Sequence, residues 1–456
     1  MRDIDLTEGT IASHFKALAV PAAFGMLFST LYNVVDVYFA GQISTQAQAG
    51  LAIGFQAFFI MMSVGFGLGA AMSALVGNAR GEKNDDDARR IASQGISFGL
   101  VAVAVLMVLG SIGGPSLIAL VSEPGEYRDA ATDYFYLLIL ALPGFLLAYG
   151  ANGILQAHGD TVSLRNALMV AFFANCGLNP LLIYGVPGVI PGLGLSGIAV
   201  ATVISQTGVM IWILRQVLAR RVMEGFSLSW LKPDLASFRE IFAQMLPTST
   251  AMMVMFISGF VVQFALKGFG PEAIAAYGVA LRIEQILLLP VLGMTGALLP
   301  IAAQNFGAKQ PDRVREALFF CWKLGFIMSA VAFPILWFGS PYVIRLFSDD
   351  PEVIRIGTSY LRVDSFIFPI YMMLFAINSF LQALKRPVWT LWISVYRQGF
   401  GVAFFVWVFV GLIGMDVWGV WIGIASAVTT GWMIAMVVAA RIADEEIGGL
   451  RGGATA

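Results

Sequence analysis

The chain has 456 residues, 58% of them hydrophobic and only 12% charged, with 27 Lys and Arg against 28 Asp and Glu. Its mean hydropathy is +0.81, and an average soluble domain carries about 25% charged residues, so this is a membrane protein. The near-zero net charge leaves no electrostatic footprint for nucleic acid, and two histidines with two cysteines exclude a histidine-rich metal cluster or a disulfide framework.

The first residues, MRDIDLTEGTIASHFKALAVP, are charged before they are apolar and contain no cleavage motif, so no signal peptide is expected. A span needs about 20 mostly apolar residues. Breaks at Gly, Pro and charge clusters place twelve spans, near 17–40, 50–76, 91–114, 131–156, 163–185, 196–218, 241–266, 274–304, 317–340, 358–384, 388–411 and 418–440. Helices alone satisfy the backbone across so much lipid, because a barrel would show alternating strands of about ten residues. Twenty Lys and Arg fall on the side of the two termini, from Arg2 to Arg451, against five on the other side. Both termini are therefore expected in the cytoplasm, with the protein multi-pass in the inner (plasma) membrane.

The chain repeats itself 226 residues on: Pro21 meets Pro247, Gly81 meets Gly307, Lys83 meets Lys309, Pro143 meets Pro369, and NGILQA from Asn152 meets NSFLQA from Asn378. This predicts an all-α fold of two six-helix lobes, 1–218 and 241–441, related by a pseudo-two-fold along the membrane normal. A polar linker at 219–240 would join them and a tail at 442–456 would follow. Transporters recurrently use this plan, with substrate held between the lobes.

Within that duplication, unshared polar residues need a reason other than scaffold. LYNVVDVYFAG carries Asp36 in the middle of the first span, and its counterpart is Val262. A carboxylate there costs about 2.5 to 3.5 kcal/mol on an insertion scale and marks a pathway. In the fifth span FFANCGLNPLLIYG sets Asn175 and Asn179 four apart on one face, where the second lobe has Gly401 and Phe405. Thr202 lies in the sixth span, one turn before Gln206. Asp36 with two amides and a hydroxyl could form an oxygen-rich site for a hard cation, or a cage around a protonatable acid. The alternative for the amides is interhelical hydrogen bonding, and for Thr202 it is helix packing.

Tyr32, Asn33, Tyr134 and Gln206 are expected to line the cavity. Asn152 and Asn378 suit a shared kink or interhelical bond as well as substrate contact. Arg282 and Glu284 are two apart and so cannot face each other on one helix; both are candidates for a polar second-lobe cavity, with Arg397 as a partner for Glu284. The loop GEKNDDDARR reads as a solvated face, and GFGLGAA, which lacks the strand of a nucleotide-binding turn, as helix packing. No Walker sequence is present, so the expected energy source is an ion gradient, with no cofactor.

PAAFGMLFSTLYNVVDVYFAGQ, NPLLIYG, GLGLSGIAVATVISQ and AAYGVALRIEQILLLP together resemble the multidrug and toxic compound extrusion (MATE) family. The chain is most similar to the bacterial branch related to the DNA-damage-inducible MATE proteins. The resemblance implies export of cationic or amphipathic organic compounds in exchange for protons or sodium, and a monomer is expected. It makes Asp36 the coupling acid, with Asn175, Asn179 and Thr202 completing its site and ligating the metal if sodium is the ion. The family pattern usually has Asp where this chain has Asn179. The nearest alternative is a flippase for lipid-linked oligosaccharide, which would favour a strongly cationic cavity.

Overall fold

The computed structural model describes residues 4–189 and 191–450; Arg2 and Arg451 of the charge count lie outside it. Helices α1 (Ile11–Ile43), α2 (Thr45–Gly81), α3 (Asp85–Val121), α4 (Glu126–Ile139), α5 (Leu142–Ala157), α6 (Val162–Tyr184) and α7 (Leu195–Leu218) build the first lobe. Helices α8 (Leu235–Leu266), α9 (Pro271–Gly307), α10 (Pro311–Trp337), α11 (Ser340–Arg345), α12 (Pro351–Ala383), α13 (Val388–Ser394), α14 (Val402–Val406) and α15 (Val417–Ile447) build the second. Ten segments are long and apolar enough to cross a membrane, counting Val388–Leu412 as one, and the bent pair α4–α5 makes eleven. The 32-residue α8 supplies the twelfth.

The helices outrun the apolar stretches that predict them, because polar residues start them. Thr10, Ser44, Asn84, Asp234, Asp350 and Asp416 each accept a backbone N–H of the first turn that follows, satisfying donors that would otherwise be orphaned. Asp85, Asp86 and Asp87 occupy the first turn of α3, where the helix dipole favours anions. The 37 residues of α2 reach about 55 Å at 1.5 Å per residue, well beyond the roughly 30 Å of hydrocarbon.

Two departures from the expected spans have local causes. The fourth span is broken, α4 and α5 meeting at 49°, with Leu140 and Ala141 bonded three residues back, to Leu137 and Leu138. In the eleventh span the backbone passes through π-helical turns at Val395–Gly401 and Trp407–Leu412.

The lobes meet through glycine. A Cβ on Gly81 would stand 2.0 Å from the Gln304 carbonyl and one on Gly307 2.1 Å from that of Asn78, while one on Gly77 would touch the Ala303 Cβ. These pairs exchange under the 226-residue offset, so α2 and α9 cross on the pseudo-axis. Deeper in, Gly67 receives Met245 and Ser249 of α8, and Gly293 receives Ala19 and Ala23 of α1, again the same contact made twice. The first helix of each lobe thus packs on the second helix of the other. Gly65 and Gly69 lie against Leu146 and Tyr149 of α5, so all three glycines of GFGLGAA serve packing. The N-terminal half of α2 turns Gly50 and Gly54 to α4 of its own lobe, and the joint between lobes is confined to the other end.

Candidate functional site

Asp36 follows Tyr32 by one turn of α1, and both are 5% exposed. The face of α1 that carries them is closed by α6 and α7. Gly197 brings the α7 backbone against Leu182 and Ile183 of α6, and Gly144 of α5 packs on the backbone of Gln206. Asn175 and Asn179 are completely buried on α6, with Thr202, Ser205 and Gln206 buried on α7.

The geometry around the carboxylate is specific. Asn179 Nδ2 donates to Asp36 Oδ1 at 2.8 Å and to Asn175 Oδ1 at 3.0 Å, and Thr202 Oγ1 donates to Asp36 Oδ2 at 3.4 Å. Each carboxylate oxygen therefore receives a donor from a different helix, as an acid held in apolar surroundings requires. Tyr32 Oη, Asn175 Nδ2, Asn179 Oδ1 and Ser205 Oγ have no hydrogen-bond partner there. The cluster can therefore re-pair when a proton or a cation arrives at Asp36.

The other expected residues divide. Tyr134 is 1% exposed and Asn152 5%; Tyr134 packs in the core beside Phe135 and Leu138. Asn152 and Asn378 each keep an unpartnered carbonyl oxygen. Asn33 is not brought to Asp36: it is exposed and gives its amide to Ser29 O within α1, at 3.0 Å. Arg282 is exposed while Glu284 is buried, because two residues along a helix is a rotation of about 200°. The second-lobe cluster is therefore built without Arg282.

That cluster contains a residue the sequence reading passed over. Asp364 of α12 is completely buried with neither carboxylate oxygen partnered. Glu284 accepts from Tyr360 Oη at 2.8 Å, and Arg397, 8% exposed, sits 5.4 Å over the Tyr371 ring. Tyr277, Tyr360 and Trp421 fill the space between α9, α12 and α15, with Trp421 Nε1 bonded to Ser359 Oγ at 2.9 Å. The signal for Asp364 was the one that marked Asp36, a carboxylate inside a span whose counterpart, Leu138, is apolar.

Comparison with known proteins decides the family. The MatE family model matches twice, over residues 21–185 and 247–407, each half starting 226 residues from the other. The chain belongs to the MATE family. It is 27% identical over 387 residues to a FAD transporter of Shewanella oneidensis, covering 83% of this chain and 84% of that one. It is 25% identical over 413 residues to the probable multidrug resistance protein YoeA of Bacillus subtilis, with 90% and 89% covered. A MATE crystal structure in the straight conformation superposes with a TM-score of 0.89 at 21% identity, covering 97% and 98%. A MOP superfamily transporter of Pyrococcus furiosus does so with the same score and identity over 99% of both chains. The protein is a multi-pass membrane transporter of the two-lobe MATE fold.

Proposed function

We propose that this MATE protein exports cationic or amphipathic organic compounds in exchange for protons, with Asp36 as the coupling acid and alternating access between the lobes as the mechanism. The observation that carries the reading is the pairing of Asp36. A lone carboxylate held by one amide and one hydroxyl can gain and lose a proton by re-pairing those donors. The Asn179 amide turns its N–H to both Asp36 and Asn175, the arrangement of donors around a carboxylate that gains and loses a proton. Protonation of Asp36 removes the charge that attracts an organic cation, so the two cargoes compete.

The Shewanella relative is named for FAD, an anion. Among the described residues of the spans the buried charged side chains are Asp36, Glu284, Asp364 and Arg397, three acids to one base, which favours cationic cargo and argues against the flippase alternative. The charge bias of the loops supports both termini in the cytoplasm, on the side of the glycine crossings.

Ethidium efflux from proteoliposomes, with pH and sodium gradients imposed separately, tests the reading. A pH gradient is expected to drive efflux and a sodium gradient to leave it unmoved, while Asp36→Asn abolishes the coupled component. Undiminished coupled efflux by that variant would overturn it.

A further inference from the structure

Arg397 is the one base in the second-lobe cluster, and coupling at Asp36 gives it no task. It belongs to the π-helical turn Val395–Gly401, a wide turn of the kind that recurs at functional sites, and only 8% of it is exposed. The same span turns Trp392 and Phe400 outward, while Arg397 reaches to α12 and lies 5.4 Å over the Tyr371 ring. Gly431 of α15 makes room for it: a Cβ there would stand 3.0 Å from the arginine Cβ and 3.2 Å from its Cγ. The ring holds the guanidinium by cation–π attraction and leaves its N–H donors to point elsewhere. Among the described residues none of those donors has an acceptor, and Glu284 accepts from Tyr360 without forming an ion pair with Arg397. Both Asp364 oxygens are sealed from any probe of water size, whereas the Arg397 nitrogens are not.

A guanidinium without an acceptor, near the middle of the span Val388–Leu412, is costly. The duplication shows that the scaffold does not require it. The first-lobe counterparts of Arg397, Gln398 and Tyr371 are Ala171, Phe172 and Phe145, so donors stand here where the other lobe is apolar. Gln398, 7% exposed, keeps its Nε2 accessible while its carbonyl oxygen is enclosed without a partner. Asn378, two turns from Tyr371 on the same face of α12, has the same arrangement, with an accessible amide nitrogen and an enclosed oxygen. Accessible donors with their acceptors turned inward lack a pair of oxygens on a small planar group. A carboxylate supplies such a pair at the spacing of the guanidinium fork.

We propose that Arg397, steadied on Tyr371, binds the carboxylate of an amphipathic cargo that also carries a cationic group, so that the protein accepts zwitterions as well as cations. This rests on the export reading above and assigns a subsite to it. The test uses the purified full chain in detergent and two dyes that differ in one group, rhodamine 110 with a free carboxylate and rhodamine 123, its methyl ester. Fluorescence anisotropy gives the affinity for each. Arg397→Gln should weaken rhodamine 110 binding about ten-fold, the loss of one charge-assisted contact, while rhodamine 123 binds the variant no more weakly than the parent. Both dyes weakening together would make Arg397 a structural counter-ion of Glu284 and overturn the proposal. Rhodamine 110 binding that does not change, or a parent that does not bind this dye, overturns it as well. Should Arg397→Gln not fold, Arg397→Lys decides: it keeps the charge but loses the paired donors, so the preference for rhodamine 110 over rhodamine 123 should still fall, and an unchanged preference overturns the proposal. Failure of the export reading itself appears elsewhere, as ethidium efflux that ignores the imposed gradients.

Discussion

Asn179 sets the charge of the first-lobe site. Its amide donates to Asp36 and Asn175 at once, and a carboxylate in its place would meet Asp36 across a hydrogen-bond distance. Two carboxylates that close cannot both stay ionised in apolar surroundings unless a proton or cation sits with them. Asn179→Asp is therefore expected to raise the number of ions exchanged per substrate from about one toward two, or to introduce sodium dependence, as read from charge flux and substrate flux in the same proteoliposomes. A ratio that does not move would show that Asn179 does not set it. The polar residues around Asp36 were legible in the chain because each is out of place in an apolar span and absent 226 residues on. Asp364 meets both conditions, yet it follows Arg362 by two residues, and the pair reads as the polar mouth of a span. Folding puts one outside and the other completely buried. Arg282 and Glu284 part in the same way, so spacing along a helix separates them while sequence alone does not say which one faces in.

The helix count and the duplication were legible from hydropathy and motif offset, but breaks within helices were not. Pro143 and Pro369 are equivalent and each removes a backbone donor. The helix breaks just before the first and runs unbroken through the second, within α12, so the surrounding packing decides. Turn conformation was equally silent. After α2, α5, α9 and α12 the chain makes the same left-handed turn, with φ of 57° at Lys83, 74° at Gly159, 56° at Lys309 and 58° at Lys385. In each turn the next residue's N–H bonds five residues back, as Asn84 does to Ala79 and Arg386 to Leu381, the bonding of a helix C-terminal cap. Three of the four use lysine where glycine carries no Cβ penalty, and a left-handed non-glycine residue costs roughly 1–2 kcal/mol. Lys385→Gly, which copies Gly159, should gain about 1 kcal/mol after the added unfolded-state entropy of glycine is subtracted, seen as a higher melting temperature; no gain would mean the lysine side chain is held by more than the turn. The glycine crossings respond oppositely. Gly307→Ala puts a methyl group 2.1 Å from Asn78 O, backbone against backbone, so α2 and α9 must separate at about 1–3 kcal/mol. Substrate efflux should fall several-fold while the protein remains folded, and unchanged efflux would show that the crossing is not tight during the cycle.

Across the whole molecule the two lobes are tied together by the chain that precedes each of them. Ile4 N bonds to His158 O of the first lobe at 3.2 Å. Leu6, completely buried in the second-lobe core, gives its N–H to Gln304 Oε1 at 2.9 Å. Its carbonyl accepts from Asn305 Nδ2 at 2.9 Å and Arg313 Nη2 at 3.2 Å, and Gly9 O accepts from Arg313 Nη1 at 2.9 Å. Gln304 completes the bridge by donating Nε2 to Ala157 O at 2.6 Å. The segment leading into α8 is its counterpart: Trp230 O and Lys232 O accept from Gln94 Nε2, and Leu231 O from Ser97 Oγ, all on α3 of the first lobe. Rocking the lobes apart at this end must strip the N-terminal strap from one side. Leu6→Ala removes burial worth about 2–5 kcal/mol, and each 1.4 kcal/mol is ten-fold in an equilibrium, so even half of that loss falling on the closed form shifts the closed-to-open ratio by about ten-fold. Spin labels at Asp86→Cys and Asp312→Cys, symmetric sites whose carboxylates are 94% and 91% exposed, read the separation once Cys176 and Cys321 are replaced by serine or alanine. Their surface ion pairs with Arg89 and Arg315 contribute little, so the labels should not disturb the joint. Leu6→Ala should add a longer-distance population to the pulsed-dipolar distribution. If the distribution matches the parent's while the variant is folded, the strap rides on the lobes without holding them, and the glycine crossings alone keep this end shut.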